Sequence, residues 1–248
     1  MGITNATPGA RPDTPARPAP ARGRQRTATP GSDAKRERIL QVAQGLFAAQ
    51  GYAQTTMEQI VQALGVTKPY VYYYFRDKRD IFEVLSWRPA VACFTAMDFP
   101  EDDLRPAHTK VAEGMERLIR ATIEHHPAAF FPYREPQVFR PEYLAMQKKL
   151  ASHFYDRMCA LMEDARREGT LDFKETRLTA LAACSLPGFL YHWYRPDGRL
   201  SPAEVVRELS QLAWRVLGLR APGEAADQPV APKTAGRASA RRKPAASG

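Results

Sequence analysis

The stretch Thr55-Thr56-Met57-Glu58-Gln59-Ile60-Val61-Gln62-Ala63-Leu64-Gly65-Val66-Thr67-Lys68-Pro69-Tyr70-Val71-Tyr72-Tyr73-Tyr74-Phe75 decides how the chain is read. Thr55-x-x-Glu58 has the spacing of a capping box, so a helix is expected to open here with Met57, Ile60, Val61 and Leu64 on its inward face. Gly65 closes it, and Thr67 can cap a third helix running through Phe75. Pro69 is tolerated because it falls in the first turn, where its missing N–H would have had no partner. A link as short as Gly65-Val66-Thr67 sets two helices at a steep angle. The third can then enter a major groove, about 12 Å wide, while the second braces it.

Upstream, Ile39, Val42, Ala43, Leu46 and Phe47 mark one apolar face of a first helix, with Ser32 and Asp33 as candidate caps and Gly51 as its stop. Downstream the periodicity stays helical, with segments expected at 78–97, 104–126, 128–138, 141–168, 174–195 and 201–219. Arg167-Glu168-Gly169 is a strong stop. Ser201-Pro202-Ala203-Glu204 is a strong start, with Ser as cap, Pro at the first position and Glu at the third. No stretch alternates with a period of two. The fold class is therefore all-α: an N-terminal three-helix bundle carrying a helix-turn-helix, followed by a six-helix domain. The expected divisions are a basic tail over 1–31, the helix-turn-helix domain over 32–78, a ligand-binding and dimerisation domain over 79–220, and a second basic tail over 221–248.

Both tails are rich in Pro, Ala and Arg and poor in large apolar side chains, which is the composition of a disordered segment. They carry most of the charge: the formal +9 of the chain falls to +2 once the tails' +4 and +3 are set aside. Nucleic-acid binding is thus argued from the motif and not from the pI. The tails could touch phosphates or stay solvated. Cys93, Cys159 and Cys184 are odd in number and far apart, which fits a reducing cytoplasm better than a disulfide scaffold. No secretory h-region and no run of about 18 apolar residues occurs, so a cytoplasmic protein without a membrane partner is expected.

The run Gly51-Tyr52, Thr55-Thr56, Ile60, Leu64-Gly65-Val66-Thr67, Tyr72-Tyr73-Tyr74-Phe75 and Lys78 resembles the N-terminal domain of TetR-family repressors over about 45 residues. Pro69 and Val61 depart from residues common in that family. The resemblance implies a homodimer that holds a palindromic operator and is released by a small-molecule inducer. It assigns DNA contacts to Thr55 and Thr56 at the start of the second helix, and to Thr67, Lys68, Tyr70 and Tyr73 in the groove. Tyr72, Tyr74 and Lys78 would clamp phosphates. Phosphate contacts set position, and base contacts set sequence preference.

Beyond residue 80 the chain is unusually aromatic, and prolines (Pro89, Pro127, Pro132, Pro136, Pro141, Pro187) interrupt its helices. Rings at helical spacing are more often core than cavity, yet this combination suits a sensor with an apolar cavity between helices. Trp87, Phe94, Phe130, Phe131, Arg134, Phe154, Met158, Phe189 and Trp193 are the candidate ligand residues. The segment from His192 to Glu204 resembles the closing part of TetR regulators of fatty-acid and sterol catabolism, and Arg134-Glu135 with Pro141-Glu142-Tyr143 is similar to that branch. That resemblance implies an acyl-CoA, or another lipid or aromatic metabolite, with Arg134 or Arg195 meeting CoA phosphates. Leu178, Leu181, Ala182, Ser185 and Phe189, with the stripe from Val205 to Leu217, are expected to form both core and dimer contact.

No nucleophile motif or phosphate-binding Gly loop occurs. His125 and His126 are adjacent, so on a helix they point about 100° apart, unlike a two-His metal site. Neither catalytic residue, metal nor cofactor is expected. The rival reading is an all-helical enzyme or adaptor that does not bind DNA.

Overall fold

The computed structural model describes residues 30–219, and within them the elements are helical. The expectations for the tails fall on 1–29 and 220–248, outside the described residues, apart from Pro30 and Gly31. Those two already belong to the first helix, α1 (Pro30–Gln54). It is followed by α2 (Met57–Leu64), α3 (Lys68–Tyr74), α4 (Lys78–Phe94), α5 (Ala107–Glu124), α6 (Phe131–Arg134), α7 (Pro141–Arg167), α8 (Thr176–Gly188), α9 (Leu190–Trp193) and α10 (Pro202–Val216).

Several boundaries differ from the sequence reading. Ser32 and Asp33 lie inside the first turn of α1 instead of capping it. Gly51 breaks the first helix where the sequence places its stop: it takes φ 80° and ψ 168°, outside the helical range, and one further short turn follows the kink before α2. The segment expected as one helix over 128–138 is α6 flanked by two 3₁₀ turns, because Pro132 and Pro136 each deny a backbone donor. The segment over 174–195 breaks between α8 and α9, just after Pro187. The start of α10 agrees with expectation: Ser201 Oγ accepts from the Glu204 amide, and the Glu204 carboxylate accepts from the Ser201 amide at 2.7 Å.

Two cores result. The larger lies among α5, α7, α8 and α10, around Met115, Ile119, Phe154, Met158 and Ala213. The smaller begins with Ile39, Phe47, Ile60 and Val71 of the first three helices but also takes in Phe82 of α4, Phe131 of α6, Phe139 just before α7 and Tyr143 in its first turn. Phe82 stacks on Phe131 with ring centres 4.7 Å apart and meets Phe47 edge-on at 5.1 Å. The first three helices therefore share their hydrophobic core with the second half of the chain.

Close approach fixes one position in the larger core. A Cβ on Gly114 would lie 2.3 Å from Met97 Sδ and 3.2 Å from the Ala96 carbonyl oxygen, whereas one on Gly45 of α1 would meet nothing within 4 Å. Gly114→Ala is expected to destabilise by about 1–3 kcal/mol through overpacking. Gly45→Ala should stabilise by about 0.5–1 kcal/mol through helix propensity. Urea denaturation of both variants checks the contrast, and equal effects would refute the packing argument.

Candidate nucleic-acid interface and adjoining cavity

The α2 N-terminus is built one residue later than the sequence suggested. Thr56, and not Thr55, is the cap: its hydroxyl accepts from the Gln59 amide at 3.1 Å, and Gln59 Oε1 accepts from the Thr56 amide at 2.9 Å. Thr55 is fully buried and its hydroxyl donates to the Gly51 carbonyl at 2.8 Å, so it is not placed to touch a duplex. At the other end of α2, Gly65 adopts φ 65° and ψ 34°, a left-handed conformation that costs a side chain with a Cβ. Its N–H returns to the last turn of α2, and α3 begins three residues later.

Only Val71 of α3 is buried, and it anchors the helix in the smaller core. Thr67, Lys68, Tyr72 and Tyr73 are exposed, while Tyr70 and Tyr74 are half-buried and pack on each other with centres 5.7 Å apart. Thr67 occupies the cap position without a side-chain hydrogen bond, which leaves its hydroxyl outward. Lys68 is the one basic side chain of α3, and its ammonium donates to Glu58 of α2 at 2.7 Å. Arg76 and Arg79 stand exposed just beyond. The result is an exposed aromatic and hydroxyl-bearing face on a single helix, and a major groove admits one helix.

Lys78 departs from the expected phosphate clamp. Its ammonium donates to the Tyr52, Ala53 and Thr55 carbonyls at 2.8, 3.3 and 2.7 Å and lies over the Tyr52 ring at 4.3 Å. Burial pulls its pKa below the usual lysine value. It therefore closes the corner between α1 and α2, supplying a donor to carbonyls at the end of α1 and in the link to α2, where helical partners run out.

A cavity of about 320 Å³ lies between α4, α5, α7 and α8, near the low end of the ~300–1,000 Å³ typical of ligand sites. Of the expected ligand residues, Phe94 and Phe154 line it. Phe130 and Met158 are buried in the larger core instead, and Phe131 belongs to the smaller one. Trp87 faces an outer groove, edge-on to Tyr143. Phe189 and Trp193 are about half exposed and do not line the cavity, and Arg134 is exposed, its charge felt by His126. Periodicity shows which side chains point inward, but not which of them border a void.

The residues missed include Cys93, Thr122, Tyr133, Gln147, Tyr155 and Cys184. The available signal was proline: Pro89, Pro132 and Pro187 all line the space, and each removes a backbone donor from its helix. No lining residue carries a charge. Thr122 and Ser86 each donate to a carbonyl of their own helix, so both can only accept further. Burial pushes the Cys184 thiol and the Tyr155 hydroxyl each up to about 12, which keeps both neutral.

Arg140 joins this region to the head. Its guanidinium meets Glu83 at 2.5 Å and Asp77 at 2.9 Å, and its amide donates to Glu83 at 2.7 Å. Asp77 is the cap of α4, directly after α3.

Replacing Lys78 by Met should lower stability by about 1.5–3 kcal/mol, since charge-assisted hydrogen bonds are lost and carbonyls left unpaired. Duplex affinity should fall while the slope of its salt dependence stays unchanged. A phosphate contact would instead lower that slope by about one. Chemical denaturation and binding at graded salt distinguish the two.

The family model described as "Bacterial regulatory proteins, tetR family" matches residues 39–85, and "Tetracyclin repressor-like, C-terminal domain" matches residues 105–217. The HTH-type transcriptional regulator AcrR of Shigella flexneri is 45% identical over 47 residues, 19% of this chain and only 22% of that protein. The HTH-type transcriptional activator FasR of Mycolicibacterium smegmatis is 26% identical over 210 residues, 79% of this chain and 88% of that protein. A tetR-family regulatory protein of Rhodococcus RHA1 has the same fold, with a TM-score of 0.65 at 22% identity over 75% of this chain and 98% of that one. AibR, solved in complex with isovaleryl coenzyme A and operator DNA, gives 0.59 at 17% identity over 72% and 97%. With both halves matched and the turn between α2 and α3 as described, the chain belongs to the TetR family of DNA-binding transcriptional regulators.

Proposed function

We propose that this protein is a homodimeric, cytoplasmic repressor that holds a palindromic operator and is released when an apolar ligand enters the cavity beside α4. The observation that carries this reading is the cavity wall itself: five of its residues, Ser86, Pro89, Ala90, Cys93 and Phe94, lie on the helix that begins four residues after α3. A ligand that displaces α4 must displace the head, because Phe82 of α4 packs edge-on against Phe47 of α1 and the Arg140 clamp ties Glu83 of α4 to Asp77, just after α3. Only a ligand that prefers one arrangement can shift the balance.

The neutral lining supports an uncharged buried portion such as an acyl chain or an aromatic group. A coenzyme A moiety would have to keep its phosphates outside, where Arg134 and Arg195 are available. AibR, a protein of this fold, was solved with such a thioester and with operator DNA. Thr56, Thr67, Lys68, Tyr70, Tyr72, Tyr73 and Tyr74 remain the proposed duplex contacts; Thr55 and Lys78 act through the fold.

Dimerisation is proposed through the outer faces of α8, α9 and α10. Leu178 and Phe189 are 65% and 58% exposed, with Leu181, Trp193, Leu212 and Val216 beside them in exposure. Val205, Val206, Leu209, Ala213 and Leu217 face inward and serve the protein's own core. A two-fold dimer would place two α3 helices about 34–36 Å apart, one DNA turn. An activator is the second reading, favoured by the match to FasR along most of both chains.

The test is a gel shift on the DNA upstream of the protein's own gene, with long-chain acyl-CoA, the free fatty acid and coenzyme A alone as additions. Release by the first and not the last is expected. Cys184→Phe, which fills the cavity, should leave duplex affinity within about twofold and abolish release. A filled cavity that still responds would sink this reading, and no binding to any duplex would sink the repressor and the activator together.

A further inference from the structure

The Glu58–Lys68 pair has no evident purpose in folding. Its partners sit 2.7 Å apart on different helices, and their side chains are 65% and 60% exposed. Ion pairs so open to water add little stability. Lys68 also lies over the Tyr72 ring at 5.6 Å, so ring and carboxylate together hold its ammonium in one place. Glu58 is in the first turn of α2 and Lys68 is the first residue of α3, which puts the pair on the rim where both helix starts meet.

A carboxylate at that rim is a liability against a phosphate backbone. Close to phosphate it repels, and it cancels the only cation of the recognition helix. It becomes favourable where it meets a hydrogen-bond donor on a base edge. In the major groove, cytosine offers its N4 amino group to Glu, while the paired guanine offers O6 and N7 to Lys. The amino group and O6 are neighbours across one base pair. A carboxylate and an ammonium held side by side therefore match the edge of a single C·G pair, donor to acceptor and acceptor to donor.

We propose that Glu58 and Lys68 act as one unit that reads a C·G base pair in each operator half-site. Glu58 accepts from cytosine N4 and Lys68 donates to guanine. On other sequences the carboxylate is left against groups that cannot donate suitably, and binding is penalised. The unit thus sets specificity by rejecting wrong duplexes as well as by holding the right one. This rests on α3 entering the major groove, as in the function proposed above.

The experiment is selection from a pool of duplexes with a randomised core, using the full chain, Glu58→Ala and Lys68→Met. The unaltered protein should enrich a palindrome with a fixed C·G pair at one symmetric position per half-site. Swapping that pair for T·A should weaken its binding about tenfold. Glu58→Ala should still bind, with unchanged melting temperature, but discriminate C·G from T·A less than about twofold, and Lys68→Met should lose the guanine preference likewise. A selected palindrome without the fixed pair, or variants that keep the preference, would overturn the proposal while leaving DNA binding intact. Folded Glu58→Ala that binds no duplex would overturn it too. If the unaltered protein enriches nothing, the DNA-binding reading fails first.

Discussion

Phe82 is the side chain on which the arrangement of the two halves depends. It is almost fully buried, it stacks on Phe131, meets Phe47 edge-on and leans on Phe139 at 5.4 Å. Those partners come from α1, from α6 and from the approach to α7. Large aromatic side chains dominate core energetics, and such ring pairs add to their area burial. Of the first three helices, α2 and α3 have only eight and seven residues. Lengths of this kind are marginal as isolated helices and take their stability from packing. The head is thus held in shape partly by residues that belong, in sequence, to the second half.

Arg140 adds direction to that attachment. Hydrophobic contact is not directional, so the aromatic cluster alone would tolerate small rotations of α4 against α7. The guanidinium of Arg140 reaches both Glu83 within α4 and Asp77 at its cap. Glu83 is well covered, and a buried carboxylate without its cation is costly. Rotation of α4 must either carry the start of α7 along or break the pair. Since α7 also supplies Gln147, Phe154 and Tyr155 to the cavity wall, the shape of the cavity and the attitude of α4 are tied by short paths through packed side chains.

The helical class, the turn after α2 and the cap of α10 were legible because each depends on local spacing. Where two registers satisfied the same pattern, spacing could not choose. Thr55 with Glu58 and Thr56 with Gln59 both fit a capping box, and burial of Thr55 under the kink at Gly51 decides for the second. Lys78 shows a different limit: its residue type fits a phosphate contact, but its carbonyl partners lie 23 to 26 residues away and only folding brings them together. The cavity was the least legible part. Phe94, Phe130, Phe154 and Met158 are all inward by periodicity, and only tertiary packing separates the two that border a void from the two that do not.

The charge distribution gives the proposed switch its leverage. Across residues 32–79 the seven basic and four acidic side chains leave a modest excess, and the one cation on α3 is paired with Glu58. Affinity gained from phosphate neutralisation is therefore limited for a single head, because it scales with the number of phosphates neutralised. Two heads joined in a dimer bind far more tightly than one, since the second contact is made at high effective concentration, but only when their spacing fits. A weakly charged head thus makes the complex depend on geometry. In the proposed dimer, a small movement of α4 that mis-spaces the pair would remove most of the affinity, whereas a strongly basic head would cling to the duplex in either conformation and could not be switched.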